Sequence, residues 1–436
     1  MPPSQTVGIW ILCVSFGGLL LAKFPVALTL ALSSLATLWY LDIPVIVVAQ
    51  QMIQGVNIFS LLAIPFFILT GQLLGEGGLA NRIVSFANLF VGRLPGGLSV
   101  VNSIACMFFG NLSGSAIADT SAIGSVMIPI MKKKGYSAEY SVGVTISSAI
   151  QGVVVPPSHN LVLYSIAAAG IAGGMSVPKL FLAGVLPGFL LLATLIAVGL
   201  IISAKRKYPK GDPVKWRQVP GIVFHGLLSL TPAAIILGSI VSGWATATEA
   251  GALAAMYSFL LAALVYRELK PRRLWPALVR TFRTVLMVFF LIGTSQAFGY
   301  VMNMLHLPDL ITNAFLSISD KPWMILLLIN VLLLILGGPM DMAPMILILT
   351  PVLLPICMKI GMDPIHFGIL MIFNSGMGLL TPPVGTVLFV GCAIGKVSVN
   401  AGTKAMMPFF LAMIVALMLI TYVPAISMAL PRAFSP

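Results

Sequence analysis

The sequence predicts an all-α polytopic membrane protein made of two inverted repeats of five spans each. Each repeat carries one re-entrant helical hairpin and one broken helix. Three observations predict this. Hydrophobic residues make up 59% of the 436-residue chain and charged residues 8%, against about 25% charged in a soluble globular protein. Apolar runs of membrane-crossing length recur from one end to the other. Finally, a polar, helix-breaking pattern lies inside very apolar sequence and occurs twice. Its first copy runs from Gly110 to Asp119, then Pro129, Gly135, Gly152 and Pro156-Pro157-Ser158. The second runs from Gly337 to Asp341, then Pro355, Gly361, Gly378 and Thr381-Pro382-Pro383. Pro129 and Pro355, Gly135 and Gly361, Gly152 and Gly378, and Pro157 and Pro383 are each 226 residues apart.

The first repeat is expected over 1–204. Spans lie near 6–22 and 25–41, separated by Lys23 and Pro25. Met1 to Thr6 carries no Lys or Arg, so the first apolar segment reads as a retained span. An amphipathic stretch near 45–57 leads to a span at 58–75, and a second near 79–92 leads to a hairpin at 97–133. The hairpin's first arm, from about Leu98 to Phe109, reaches roughly 18 Å against a hydrocarbon core of about 30 Å. It must turn back at its Gly/Ser tip. A span at 138–172 is broken at Pro156-Pro157, and a last span lies near 178–203. After a basic cytoplasmic loop at 205–221, the second repeat (222–436) follows the same order. Its spans lie near 222–242, 247–266 and 284–304, its hairpin at 323–358, its broken span at 364–396 and its last span at 405–430. An odd number of crossings inverts the second repeat relative to the first.

Charge supports the layout. Twelve of the 24 Lys and Arg fall in two short loops, Lys205 to Arg217 and Arg267 to Arg283. With those loops in the cytoplasm, 20 of the 24 fall inside and only Lys179, Lys321, Lys359 and Arg432 outside. This is the bias expected of inner-membrane proteins, and it puts both termini outside. It also gives the net charge of +13 a membrane meaning and argues against nucleic acid. The four cysteines are scattered without a CxxC pair, and the four histidines show no metal spacing. No GxSxG or Walker A pattern occurs, which argues against an enzyme and against any cofactor.

Backbone broken at bilayer depth is tolerated only where it is buried in protein or lines a wet cavity, and matched broken helices point to a transporter's binding site. At such a tip, half-helix N-termini attract anions, while free carbonyls can hold a sodium ion. Hard cations want oxygen ligands. In the first copy Asn111, Ser113 and Ser115 supply them, facing Ser147, Ser148, Pro156 and Ser158. In the second the candidates are Gly337, Gly338, Asp341, Asn374, Ser375, Thr381 and Thr386. The plainer alternative is that Ser and Thr hydroxyls back-bond to freed helix carbonyls. His159 and Asn160 start a half-helix and are candidates for substrate contact; a lone histidine is as readily structural. Of eleven acids, only Asp119, Glu249 and Asp341 fall inside the apolar zone. Buried acids there are functional by default, but each of these also sits where a helix-start acid would cap free N–H groups.

Several separated motifs resemble the large membrane subunit of the tripartite ATP-independent periplasmic (TRAP) transporters: Leu62-Ala-Ile-Pro-Phe-Phe-Ile-Leu, Leu112-Ser-Gly-Ser-Ala-Ile-Ala-Asp-Thr, Thr248-Glu-Ala-Gly-Ala, Gly361-Met-Asp-Pro-Ile-His-Phe-Gly and Gly378-Leu-Leu-Thr-Pro-Pro-Val-Gly. The resemblance implies sodium-coupled import of an organic acid across a bacterial inner membrane by an elevator mechanism, a transport domain sliding against a scaffold. It implies a small four-helix membrane subunit and a periplasmic binding protein as partners, and no ATPase. It carries the family's sodium sites onto Ser113, Gly114, Ser115 and Pro156, and onto Gly337, Asp341, Thr381 and Pro382. The chain departs from the family's usual pattern at His159-Asn160, after Ser158, and at Thr386-Val387; these departures lie near the expected substrate. Two other readings remain at this stage: a stand-alone sodium–dicarboxylate carrier of similar architecture, and an ion channel.

Overall fold

The computed structural model describes residues 3–211, 214–382 and 384–434. It is all-helical, about 82% helix, with no strand among the described residues. Among the described residues, eight helices are long and apolar enough to cross a membrane.

Both hairpins form. The first consists of Gly97–Ser113 and Ala116–Lys133, the second of Pro322–Gly337 and Met342–Lys359. The first arm is longer than expected, 17 residues, but at about 25 Å still falls short of the core. Its turn follows from local chemistry. Gly114 adopts φ 62°, which ends the arm, and Ser115 caps the return helix by accepting a hydrogen bond from Ala118 N (3.3 Å). In the second hairpin Asp341 is the cap and accepts from Met342 N at 2.8 Å. Ser115 and Asp341 are 226 residues apart, so the repeat seen in sequence is also a register of caps.

Both broken spans are broken where expected. The first is helical to Val154 and resumes at His159–Ala169, with Ser158 as cap. The second is Pro364–Gly378 followed by Thr386–Gly395. Pro383, the partner of Pro157 in the repeat, lies outside the described residues.

The amphipathic stretches become the helices Ile46–Val56 and Leu79–Val91. Two features of the second half differ from the expectation. Arg267 to Arg283 is not simply a loop: from Pro271 it is the start of one 34-residue helix, Pro271–Met304, about 51 Å long. In the first half the matching stretch is two helices, Ile46–Val56 and the segment from Phe59 to Glu76, parted at Asn57. The helix Leu307–Ile318 was also not expected, although it matches Leu79–Val91 in the repeat. Arg280 pairs with Glu76, and Arg82 Nη2 donates to Glu268 Oε1 at 2.7 Å while lying over the Tyr266 ring. These basic residues therefore join the two halves as well as marking a face.

The core sits around the broken spans. Every residue from Tyr140 to Ser158 and from Phe367 to Leu380 is buried. The hairpins' first arms lie against them, which explains polar residues in otherwise apolar helices. Asn102 Nδ2 donates to Thr145 Oγ1 (2.7 Å), and the Ser103 and Ser148 hydroxyls share a bond of 2.8 Å. In the second half Asn374 Nδ2 donates to Asn330 Oδ1 (2.9 Å), and Asn330 Nδ2 to Thr421 Oγ1 (3.0 Å). Leaving such groups unpaired away from water would be costly.

Candidate functional site

The two tip-and-break regions are built alike and lie in one core. After the first break, His159–Ala169 packs on the return arm of the second hairpin; after the second, Thr386–Gly395 packs on the return arm of the first. The two broken spans cross where Gly376 approaches Ile150 and Val153. Each half thus packs against the return arm of the other's hairpin.

Within each site, glycine lets backbone meet backbone. A Cβ on Gly110 would lie 2.5 Å from Gly152 Cα, and one on Gly337 would lie 2.8 Å from Gly378 Cα. The tips are then tied to the segments beyond the breaks. Asn160 Nδ2 donates to Gly114 O at 2.8 Å, and Val384 N donates to Gly338 O at 3.3 Å. Each of these carbonyls keeps a second lone pair for another partner.

The sequence-derived sodium candidates fall at these places. Ser113 is buried and its hydroxyl lies within the tip turn, donating to Gly110 O (3.3 Å) and accepting from Ser115 N (3.3 Å). Gly114 is buried, Ser115 is half-buried, and Pro156 is buried in the break. In the second half Gly337 is buried, Asp341 and Pro382 are exposed, and Thr381 is half-buried. The Thr381 hydroxyl donates back to Met377 O (3.3 Å), the bland role weighed above, while its oxygen keeps acceptor capacity.

The substrate candidates divide. Ser158 caps the half-helix by accepting from Asn160 N (3.3 Å), and the Asn160 amide is spent on Gly114. His159 and Thr386 are different: His159 Nδ1 and Thr386 Oγ1 are buried atoms with no hydrogen-bond partner among the described residues. His159 Nδ1 lies against Gly114, 2.5 Å from where a Cβ would stand. Each of these two side chains stands at the positive start of a half-helix, although Asn160 N is already held by Ser158 Oγ and Val387 N donates to Leu379 O at 3.2 Å.

The three acids also separate. Glu249 is exposed and completes a capping box with Thr246, whose N–H donates to Glu249 Oε2 at 2.8 Å. Asp341 caps the second return arm. Asp119 does not occupy the matching place, which belongs to Ser115. It lies one turn further in, fully buried, and neither carboxylate oxygen receives a hydrogen bond from an N–H or O–H group of the described residues. Among the described residues no three of His, Cys, Asp and Glu come together as a metal group. Sequence reasoning missed the glycine pairs as contacts, although Gly152 and Gly378 stood in the repeated pattern. It also missed Asn330, whose signal is a lone amide in the apolar arm Pro322–Gly337.

Residues 13–426 match the family described as tripartite ATP-independent periplasmic transporter, DctM component. The chain belongs to this family. It is 39% identical to the C4-dicarboxylate TRAP transporter large permease protein DctM of Pseudomonas aeruginosa, over 86% of each chain. It is 35% identical to the 2,3-diketo-L-gulonate TRAP transporter large permease protein YiaN of Escherichia coli, over 92% of this chain and 93% of that one. It is 38% identical to the isethionate TRAP transporter permease protein DctMQ of Oleidesulfovibrio alaskensis, over 95% of this chain and 65% of the relative. The fold is that of the Alcanivorax borkumensis YdaH transporter crystal structure, with a TM-score of 0.65, 15% identity and full coverage of both chains. This permease is therefore a multi-pass membrane protein and not an enzyme. Its family works with a small membrane subunit and a periplasmic binding protein.

Proposed function

We propose that this permease imports a carboxylate-bearing organic acid across the inner membrane, coupled to sodium, by an elevator movement. The observation that carries the reading is the duplicated site. Two capped hairpin tips are each tied through a glycine carbonyl to the far side of a broken helix, inside one shared core. A sodium ion at the first tip would use oxygens of Ser113, Gly114, Ser115 and Pro156. One at the second would use Gly337, Asp341, Thr381 and Pro382. The donor chemistry fits: hydroxyls, carbonyls and one carboxylate, all hard oxygen ligands.

The substrate carboxylate would lie between the half-helix starts at His159 and Thr386, where the positive helix ends favour negative charge. The unpartnered His159 Nδ1 and Thr386 Oγ1 would then read its remaining polar groups. Ser158 and Asn160 hold this frame in place. The hairpins and broken spans form the moving unit in this reading, and the helices paired through Arg82, Glu268, Arg280 and Glu76 form the scaffold. The two repeats are inverted, both termini are periplasmic, a small four-helix subunit flanks the scaffold and a periplasmic binding protein delivers the acid. The relatives named for a C4-dicarboxylate and a diketogulonate support the substrate class.

The test is uptake by the reconstituted permease with its small subunit and binding protein. Accumulation of an organic acid is expected only under an inward sodium gradient. Accumulation that survives in sodium-free buffer overturns the coupling.

A further inference from the structure

A concave site lies away from the tips. A cavity of about 210 Å³ opens between the end of Val177–Lys205, the helix Val399–Tyr422 and the start of Ala138–Ala149. Lys205, Arg206 and Lys404 line it, with Tyr140 as its floor. None of the three cations forms an ion pair among the described residues, so no described carboxylate compensates their charge. Arg206 is nevertheless held. Its Nη1 donates to Ser137 Oγ and to Tyr208 OH, both at 3.2 Å, and its guanidinium lies 5.8 Å from the centre of the Tyr140 ring. Tyr140 is fixed in turn, its OH donating to Gly199 O (3.0 Å) beside the Ser99 and Ser203 hydroxyls. A scattered basic surface needs no such framework. Here one guanidinium is set in place and the Lys205 and Lys404 ammonium groups stand around it.

We propose that this cavity binds the phosphate headgroup of an anionic phospholipid from the cytoplasmic leaflet. Phosphate suits a fixed guanidinium with flanking ammonium groups. The source follows from what continues beyond the cations. Lys404, Pro408, Leu411 and Val415 fall on one face of their helix by 3.6-residue spacing. Leu411 and Val415 are each 56% exposed. A headgroup in the cavity therefore has an apolar track for its acyl chain leading away from it, which a free phosphate ion would not use. Basic pockets between spanning helices on the cytoplasmic side are suited to such headgroups. The inference rests on the cytoplasmic placement of Lys205 to Arg217 and is independent of sodium coupling. Its consequence is a lipid tether on helices that pack directly against the first hairpin and the broken spans.

The experiment is native mass spectrometry of the permease with its small subunit, released from phosphatidylcholine nanodiscs doped with phosphatidylglycerol. Wild type is expected to retain phosphatidylglycerol in preference to phosphatidylcholine. Each Lys or Arg near an anionic surface contributes roughly fivefold in affinity, so combined Lys205→Gln, Arg206→Gln and Lys404→Gln should weaken retention on the order of a hundredfold. Lys132→Gln with Lys133→Gln, outside the cavity, should leave it near wild type. Leu411→Asn should weaken phosphatidylglycerol binding while sparing that of soluble glycerol phosphate. Equal loss from the Lys132 and Lys133 pair would show general surface charge and overturn the site. Protection by inorganic phosphate with no preference between the two lipids would overturn the lipid assignment.

Discussion

Gly110 and Gly152 meet backbone to backbone, and a Cβ on either would come within 2.5 Å of the other's Cα. Gly337 and Gly378 meet in the same way in the second half, at 2.8 and 2.6 Å. The partners on the broken spans are 226 residues apart, and those on the hairpin arms 227. The extra residue is recovered at the tips, since Ser115 and Asp341 return to 226. The polar pins follow the same rule: Ser103 with Ser148 corresponds to Asn330 with Asn374. The chemistry of the pin changed between repeats, while the geometry of arm against broken helix did not.

The glycine contact gives the first prediction. Gly110→Ala, Gly152→Ala, Gly337→Ala or Gly378→Ala would force backbone apart, because the opposing atom is a Cα and no flexible side chain can yield. Overpacking of this kind typically destabilises by about 1–3 kcal/mol. Thermal unfolding in detergent should show lowered midpoints for all four. Gly170→Ala is the control, since a Cβ there meets nothing within 4 Å, and it should unfold like wild type. Unchanged midpoints for the four would mean the close approach is not rigid.

Much of this frame was legible in the sequence because glycine and proline announce interruptions in apolar helices. The hairpins, both breaks and the cap at Asp341 follow from local residues; the matching cap was expected at Asp119, and the structure gives it to Ser115. The long helix Pro271–Met304 was not legible. Hydropathy reads Arg272, Arg273, Arg280 and Arg283 as a loop, yet a helix that extends past the lipid can carry such charges, and Arg280 finds Glu76 on another helix. The ties Asn160 to Gly114 and Val384 to Gly338 were hidden for another reason. They join segments 46 residues apart, and no local periodicity encodes which amide meets which carbonyl. The exposed place of Glu249 was ambiguous because a capping box and a buried functional acid share one sequence signature.

Sodium dependence tests the tips. Ser115→Ala removes a cap, which costs about 1 kcal/mol, and in the proposed site it also removes a cation ligand. Thr381→Ala removes a hydroxyl whose donor role is only a back-bond. Both variants should fold, with uptake requiring severalfold more sodium for half-maximal rate. Ser115→Thr should restore the cap and most of the affinity. If Ser115→Ala and Thr381→Ala keep wild-type sodium affinity, the tip assignment is wrong.

Asp341 separates capping from coordination. Asn caps a helix about as well as Asp, so Asp341→Asn should leave the return arm intact and the unfolding midpoint near wild type. A cation ligand, however, would lose its formal charge. The expected result is a wild-type midpoint with markedly weakened sodium activation. Wild-type activation in Asp341→Asn would reduce Asp341 to a cap.

Asn160 offers the sharpest choice between frame and substrate. Its amide donates to Gly114 O at 2.8 Å and the side chain is buried, so it acts as a lock between the first tip and the half-helix beyond the break. Asn160→Leu keeps the size and removes the donor. A buried hydrogen bond lost in this way leaves the carbonyl unsatisfied, at about 1–3 kcal/mol. The lock therefore predicts a lowered unfolding midpoint and a lowered maximal uptake rate, with little change in the substrate concentration needed for half-maximal uptake. A direct substrate contact predicts the reverse: an unchanged midpoint and a raised half-maximal concentration. His159→Ala supplies the comparison, because its Nδ1 makes no hydrogen bond of the strength of the Asn160 amide. It should raise the half-maximal concentration, with a loss of midpoint limited to the packing of the imidazole on the tip. If Asn160→Leu behaves like His159→Ala, the amide serves the substrate and the tip is held by other contacts.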